Sequence, residues 1–483
     1  MLLSFLLLRG PVMFRELPGQ DEDFFAVPGM TILESGVPRI PYLPSRDEES
    51  AFYRADEMLF ALPPLHFYLE AIVYCVFEPS TGFARLTSTL AGLGAIVLLY
   101  LIGRRWFGEE RGALLGAGFY ACSRALYFPC LSARPDMLFG FWGLATLWCM
   151  TRWHQERRTR DLVYAGLCIG GGFLTHPAAI IYAFQAGCWC LLAGGALRQR
   201  ITRASILTLV TVLVSSLWLI LIVRAPELFW SQFGNNVLNR GGSGLVSRML
   251  MPLPAIQYQG KLLLEMLESF QLFLVAAALV LVTFCSFRRS TRHFRPWIFV
   301  IWGGIYWHLV FQGTHPTKGY WCFTAAPVFL MLGGLLSRIW QDREANGTRR
   351  PWDARIVVTL VFVCFLPGSG LRSLAVHLRE WNNPVYDAGQ FTEELIAKYP
   401  KGKRYLVDRS YVFAFYRAGR EPLLASWEPF YFDATDEPFD YLIGGPSLSQ
   451  EQLPLTLDAR LQEIWGDCGQ PGACCARVYV PDR

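Results

Sequence analysis

Charge is scarce in this sequence. Only 17% of its 483 residues are Asp, Glu, Lys or Arg, against about 25% in a soluble domain. The shortfall is concentrated in long apolar stretches before residue 375, which excludes an ordinary soluble fold there and means membrane spans. Zinc-finger spacing is missing, as are a phosphate-binding Gly loop after a strand and any RNA-binding signature, so nucleic acid is not an expected partner. Internal repeats and low-complexity tracts are also missing, and with the repeats goes one mark of a transporter.

Aromatics, by contrast, make up 15% of the chain, many near the ends of apolar stretches, where Trp and Tyr meet lipid headgroups. The net charge of +5 hides an asymmetry: residues 375–483 hold sixteen acidic against eleven basic side chains, so the remainder is basic. Basic character beside apolar stretches suits lipid headgroups and cytoplasmic loops. Ten of the thirteen cysteines precede residue 375, most of them inside apolar stretches, where they act as small hydrophobes.

Five segments are dense in arginine: 103–112, 152–161, 197–204, 287–296 and 337–355. Short cytoplasmic loops accumulate Lys and Arg. If all five lie inside, an even number of spans separates neighbours, and the apolar stretches obey this. They are 113–130 with 136–151, 162–176 with 177–196, 205–223 with 263–286, and 297–312 with 320–337. A last span, 356–374, ends outside and carries residues 375–483 with it. Span 83–102 then runs inward, which leaves residues 18–82 external. Within them PPLHFYLEAIVYCVF (63–77) has fifteen residues, short for a span of about 20, and reads as an interfacial helix with His66 and Glu70 on its polar face. The first span, within 1–17, contains Arg9, expected to snorkel unless the helix is part of a longer one; a cleaved signal peptide is the rival, without an evident cleavage site.

The expected architecture is a polytopic α-helical membrane protein of about eleven spans. Residues 1–374 form its membrane domain, 18–82 an outer loop with juxtamembrane helices, and 375–483 a small extracytoplasmic α/β domain. In that domain 404–407, 440–444 and 476–480 read as strands, and 391–399 and 456–465 as helices. On the outer side Cys468 is expected to pair with Cys474 or Cys475. Asn346-Gly347-Thr348 matches a glycosylation acceptor but falls in an inside loop.

Charged residues at span ends mark chemistry, because they are costly there. Four clusters share the outer level: Gln20-Asp21-Glu22-Asp23, Arg134-Pro135-Asp136, His176-Pro177 and His315-Pro316-Thr317-Lys318-Gly319-Tyr320. Carboxylates with Arg, His and Lys at one interface suit a reaction between an acidic lipid and a polar acceptor. Each has a plainer reading. Asp21 and Asp136 could cap helices, His176-Pro177 could mark a turn, and Lys318 could snorkel.

The ordered set DEDFFA (21–26), LESG (33–36), PPLHFYLEA, ARLTSTLAGLGAIVLLYLIGRRWFG (84–108), RPDM (134–137), LTHPAAI (174–180) and HPTKGYWCFTAAPVFLML resembles the polyprenyl-phosphate-sugar-dependent membrane glycosyltransferases of the GT-C fold. The resemblance is greatest to the branch holding protein O-mannosyltransferases and lipid A aminoarabinose transferases, and it covers residues 1 to about 340. It implies transfer of a sugar from a polyprenyl phosphate to an acceptor hydroxyl on a lipid, protein or polysaccharide, at the outer face of the inner (plasma) membrane. It also implies Asp21 as catalytic base with Glu22 beside it, and Asp136 as the second acidic position. His176, Lys318 and Tyr320 fall at donor-phosphate positions, with Arg134 added from its place next to Asp136. Some relatives carry an acidic residue and a Lys where this chain has Phe60-Ala61-Leu62. No defined metal site is therefore expected, although a divalent cation could bridge Asp21 and the phosphate. The rival functions are a transporter or flippase of lipid-linked sugars and a non-catalytic assembly protein.

Overall fold

The computed structural model describes residues 1–19, 21–238, 245–287, 295–314, 319–345, 354–446, 448 and 457–482. The helices run α1 (Leu2–Arg15), α2 (Glu22–Ser35), α3 (Leu65–Tyr74), α4 (Thr81–Phe107), α5 (Glu110–Ala121), α6 (Arg124–Cys130), α7 (Asp136–Glu156) and α8 (Thr159–Phe173). Then follow α9 (Ile180–Leu192), α10 (Leu197–Ser215), α11 (Leu219–Ile222), α12 (Pro226–Phe233), α13 (Leu245–Leu250), α14 (Leu253–Phe287), α15 (Arg295–Gln312), α16 (Trp321–Ala345) and α17 (Ala354–Phe365). Helices α18 (Leu371–Arg379), α19 (Ala388–Lys398) and α20 (Val412–Arg417) belong to the tail.

Helix α4 shows how these residues make a long rod. The Ser80 side chain caps its start by accepting from the Phe83 N–H at 3.3 Å, and Gly108 ends it at φ +71°, a left-handed turn that glycine adopts freely. Its 27 residues rise about 40 Å, enough to cross a bilayer with its headgroups. Among the described residues three stretches are long and apolar enough to span: Thr81–Phe107, Leu197–Ile222 and Trp321–Arg338. Some of the other expected spans are broken. Residues 113–130 divide between α5 and α6, and 356–374 is not one helix but α17, a 3₁₀ turn at Leu366–Ser369, and α18. Pro367 and the left-handed Gly370 (φ +86°) enforce that break.

Four of the five arginine segments meet at one end of the bundle. Arg105 bonds Glu156. Arg157 and Arg203 both lie over the Trp153 ring, at 4.9 and 5.6 Å, and Arg111 lies over Trp340 at 4.6 Å. Of the fifth segment, 288–294 falls outside the described residues, as does the 346–348 sequon. Arg9 does not snorkel. It is buried, donates to the Ala121 carbonyl at 3.1 Å and stacks on Phe5; the α5–α6 break exposes backbone carbonyls that can take its charge.

The opposite end holds α2, α3 and the tail. Helix α3 packs so tightly on α2 that a Cβ on Gly29 would stand 2.8 Å from that of Glu70. This corrects the reading of His66 and Glu70 as polar-face residues: both are fully buried, 3.1 Å apart. The tail strands are β1 (Tyr405–Val407), β2 (Leu423–Leu424), β3 (Trp427–Glu428), β4 (Phe432–Asp433), β5 (Tyr441–Gly444), β6 (Ala459–Gly466) and β7 (Cys475–Pro481). Five form a mixed sheet in the order β2-β1-β5-β7-β6, parallel from β2 to β5 and antiparallel beyond; β3 and β4 form a ribbon. Strand β6 replaces the helix read at 456–465, because pairing along β7 supplies the hydrogen bonds that a helix would have made internally. Cys468 pairs with Cys475, and Cys474 is a buried thiol.

The tail's core is continuous with that of the outer loop. Phe24, Tyr42 and Phe67 belong to one cluster with Phe391, Tyr411 and Leu442. The Leu424 N–H donates to the Tyr42 carbonyl and the Ala51 N–H to that of Phe430, both at 3.0 Å.

Candidate active site

Asp21 takes the left-handed conformation (φ +68°) just before α2 and makes no side-chain cap. Among non-glycine residues Asp tolerates that conformation best, with Asn, and it releases the carboxylate from the helix start. One oxygen accepts from Arg134 Nη1 at 2.8 Å and the other from Arg409 Nη1 at 3.2 Å. Arg134 also donates from Nε to Asp136 at 3.1 Å. Burial opposes the Arg134 charge, but Asp136 and Asp21 outweigh it and hold the guanidinium above its ordinary value.

Asp136 is fully buried, with one oxygen lacking a partner, and makes no cap at the start of α7. Gly319 packs against it so closely that any Cβ there would overlap the Asp136 carboxylate. The fourth cluster is thereby brought to the second. His176 does mark a turn, its Nδ1 accepting from the Ala178 N–H at 3.1 Å. That bond leaves the proton on Nε2, 2.9 Å from the Tyr320 hydroxyl. Lys318 lies outside the described residues.

Glu22 points elsewhere. Its two oxygens accept from Arg85 Nε and Nη2 (2.8 Å each), the Ala133 N–H (2.8 Å) and the Gly19 N–H (3.0 Å). Four donors fill both oxygens. Asp23 is 3% exposed with one oxygen unpartnered. Burial pushes its carboxyl well above the usual range; Arg409 opposes this, while Asp21 and Asp408 add to it.

Two adjoining cavities lie on the bundle side of Asp21. The smaller, about 30 Å³, is lined by Asp21, Arg134, Phe24, Tyr320 and Tyr431 among others. The larger, about 150 Å³, is lined by His176, Tyr320 and Arg248. Leu62, Asn236 and Tyr320 border both. Arg248 donates to the Phe311 carbonyl at 3.2 Å, and its buried Nε is unpartnered. Both Asp21 oxygens face guanidinium groups, and among the described residues no three His, Cys, Asp or Glu side chains converge.

Sequence reasoning missed Arg248, Asn236 and Arg409. The first two sit on the long connection between α11 and α14, where nothing in residue type distinguishes them. Arg409 had a signal: Asp408-Arg409-Ser410 directly follows β1, at the carboxyl end of the parallel strands, where α/β sheets place their sites.

This helical bundle, closed at one end by an acidic loop and a small α/β tail, defines a membrane protein of the GT-C fold. ArnT from Cupriavidus metallidurans bound to undecaprenyl phosphate aligns at TM-score 0.65 and 16% identity, over 99% of this chain and 96% of that one. Archaeal oligosaccharyltransferase AglB from Archaeoglobus fulgidus, in complex with an inhibitory peptide and a dolichol-phosphate, aligns at 0.57 and 14%, over 99% of this chain and 74% of AglB. In sequence, residues 61–230 match the family model for dolichyl-phosphate-mannose-protein mannosyltransferase. No curated protein sequence matches the chain.

Proposed function

We propose that this protein transfers a sugar from a polyprenyl-phosphate donor to an acceptor hydroxyl, at the outer face of a plasma membrane. The observation that carries it is the convergence of Asp21, Arg134, Tyr320, His176 and Arg248 on two adjoining cavities. The acceptor oxygen bonds to the anomeric carbon as the bond from that carbon to the phosphate oxygen breaks, through an oxocarbenium-like transition state. The hydroxyl proton passes to Asp21, and the lipid phosphate leaves with the electron pair. Arg248 and the His176–Tyr320 pair hold that anion, joined by Lys318, the chain neighbour of Gly319. Arg134, fixed by Asp136, orients Asp21. Glu22 is then a scaffold residue. In this reading residues 1–374 bind the donor and 375–483 cover the site from outside.

Asp21→Asn keeps the shape and removes the base. Sugar transfer from lipid donor, scored in membranes holding equal amounts of inserted protein, should fall by about 10²–10⁴-fold. Near-normal transfer would reject Asp21 as the base.

A further inference from the structure

A third cavity, of about 290 Å³, lies on the far side of Asp21, between the tail and the outer ends of α1 and α4. Its size approaches that of small-molecule pockets, roughly 300 Å³ and upward. Arg409 forms the partition, lining this cavity while bonding Asp21 at 3.2 Å.

The two sides of the partition differ in their ionisable groups. Toward the bundle the ionisable lining is Asp21, Arg134, Arg248 and His176, which suits a phosphate. Toward the tail it is four carboxylates, Glu16, Asp23, Asp387 and Glu393, against Arg409 and Arg417. Two of these carboxylates are otherwise engaged. Asp387 bonds Arg15 at 3.0 Å and caps α19, and Glu393 stands 3.9 Å from Arg417. Asp23 is different: it is almost fully buried, it lines the cavity, and its second oxygen has no partner. A buried carboxyl oxygen left unpaired is costly unless a ligand satisfies it. The lining also includes Phe14, Phe413 and Ile396, apolar surfaces suited to the carbon face of a sugar ring. A ligand with hydroxyl or amino groups, able both to donate to and to accept from a buried carboxyl, is favoured here.

We propose that this tail-side cavity is the acceptor subsite and takes a saccharide bearing free hydroxyl or amino groups, an assignment that rests on the glycosyl-transfer reading above. Arg409 is the group the acceptor must share or displace to bring its hydroxyl to Asp21.

The test uses the full-length protein in nanodiscs. Saturation-transfer NMR is recorded with methyl α-glucoside, methyl α-mannoside, methyl α-galactoside and methyl glucosaminide, and C55 polyprenyl phosphate binding is measured in parallel. At least one glycoside should bind the wild type. Its affinity should fall about tenfold in Asp23→Asn and in Gly389→Trp, which puts a large side chain on the cavity lining, and persist in Gly389→Ala. Polyprenyl phosphate binding should be unchanged in all variants, which also shows that they are folded. The proposal is overturned if no glycoside binds the wild type, or if Gly389→Trp leaves glycoside binding intact. If polyprenyl phosphate fails to bind the wild type while a glycoside signal is lost in Gly389→Trp, the transfer reading falls and the cavity remains a saccharide site.

Discussion

Adjacent carboxylates at 21 and 22 are treated in opposite ways. Asp21 borders a cavity, whereas Glu22 is 4% exposed and saturated by Arg85 and two backbone donors. Sequence alone could not separate them, since the difference arises from the +68° φ of Asp21, which turns one side chain out as the helix turns the other in. Removing Arg85 would strand a buried charge. Arg85→Ala should therefore cost about 3–5 kcal/mol, seen as a large drop in melting temperature in detergent, whereas Asp21→Asn should barely move it. Equal melting temperatures for the two variants would contradict this division.

At the scale of elements, α3 was legible as a surface helix from its length and its Pro-Pro start. Its burial was not, because that depends on α2 and on the tail above it. The same limit explains β6, whose apolar spacing is compatible with a helix until β7 is laid beside it. The buried pair on α3 has a consequence for pH. Burial lowers the His66 pKa from 6.5 to about 3, against Asp136 and the Ala133 backbone, which favour the charge; Arg134 opposes it. Glu70, facing it, is pushed well above the usual range by burial and by Glu22. Between pH 6.5 and about 3 the unfolded chain therefore binds a proton at His66 that the fold refuses, and stability falls as pH drops through that window. The raised Glu70 and Asp23 act oppositely, weakening the fold as pH rises above the ordinary carboxylate range. His66→Gln should flatten the acid limb in melting curves recorded against pH, and an undiminished acid loss in that variant would count against the assignment.

For the whole molecule, the arginine segments carried the most information. Four of them share one end, opposite Asp21. The contacts between the tail and the outer loop were invisible, being set by residues hundreds of positions apart. The outer placement of the tail is open to labelling in a Cys75→Ser background. An impermeant maleimide should modify a cysteine at Lys401 from outside, and one at Arg158 only after permeabilisation. Labelling of both from the same side would overturn the topology.

The shared core also sets an order of events during synthesis. Phe24, Tyr42 and Phe67 leave the ribosome early, yet their partners Phe391, Tyr411 and Leu442 come more than 300 residues later. At about 5–20 residues per second that is a wait on the order of 15–60 s. Through that interval the loop before α4 stands uncovered, with Asp21 lacking its Arg409 neighbour. An interrupted chain thus yields a bundle whose early loop lacks the later residues that complete its core.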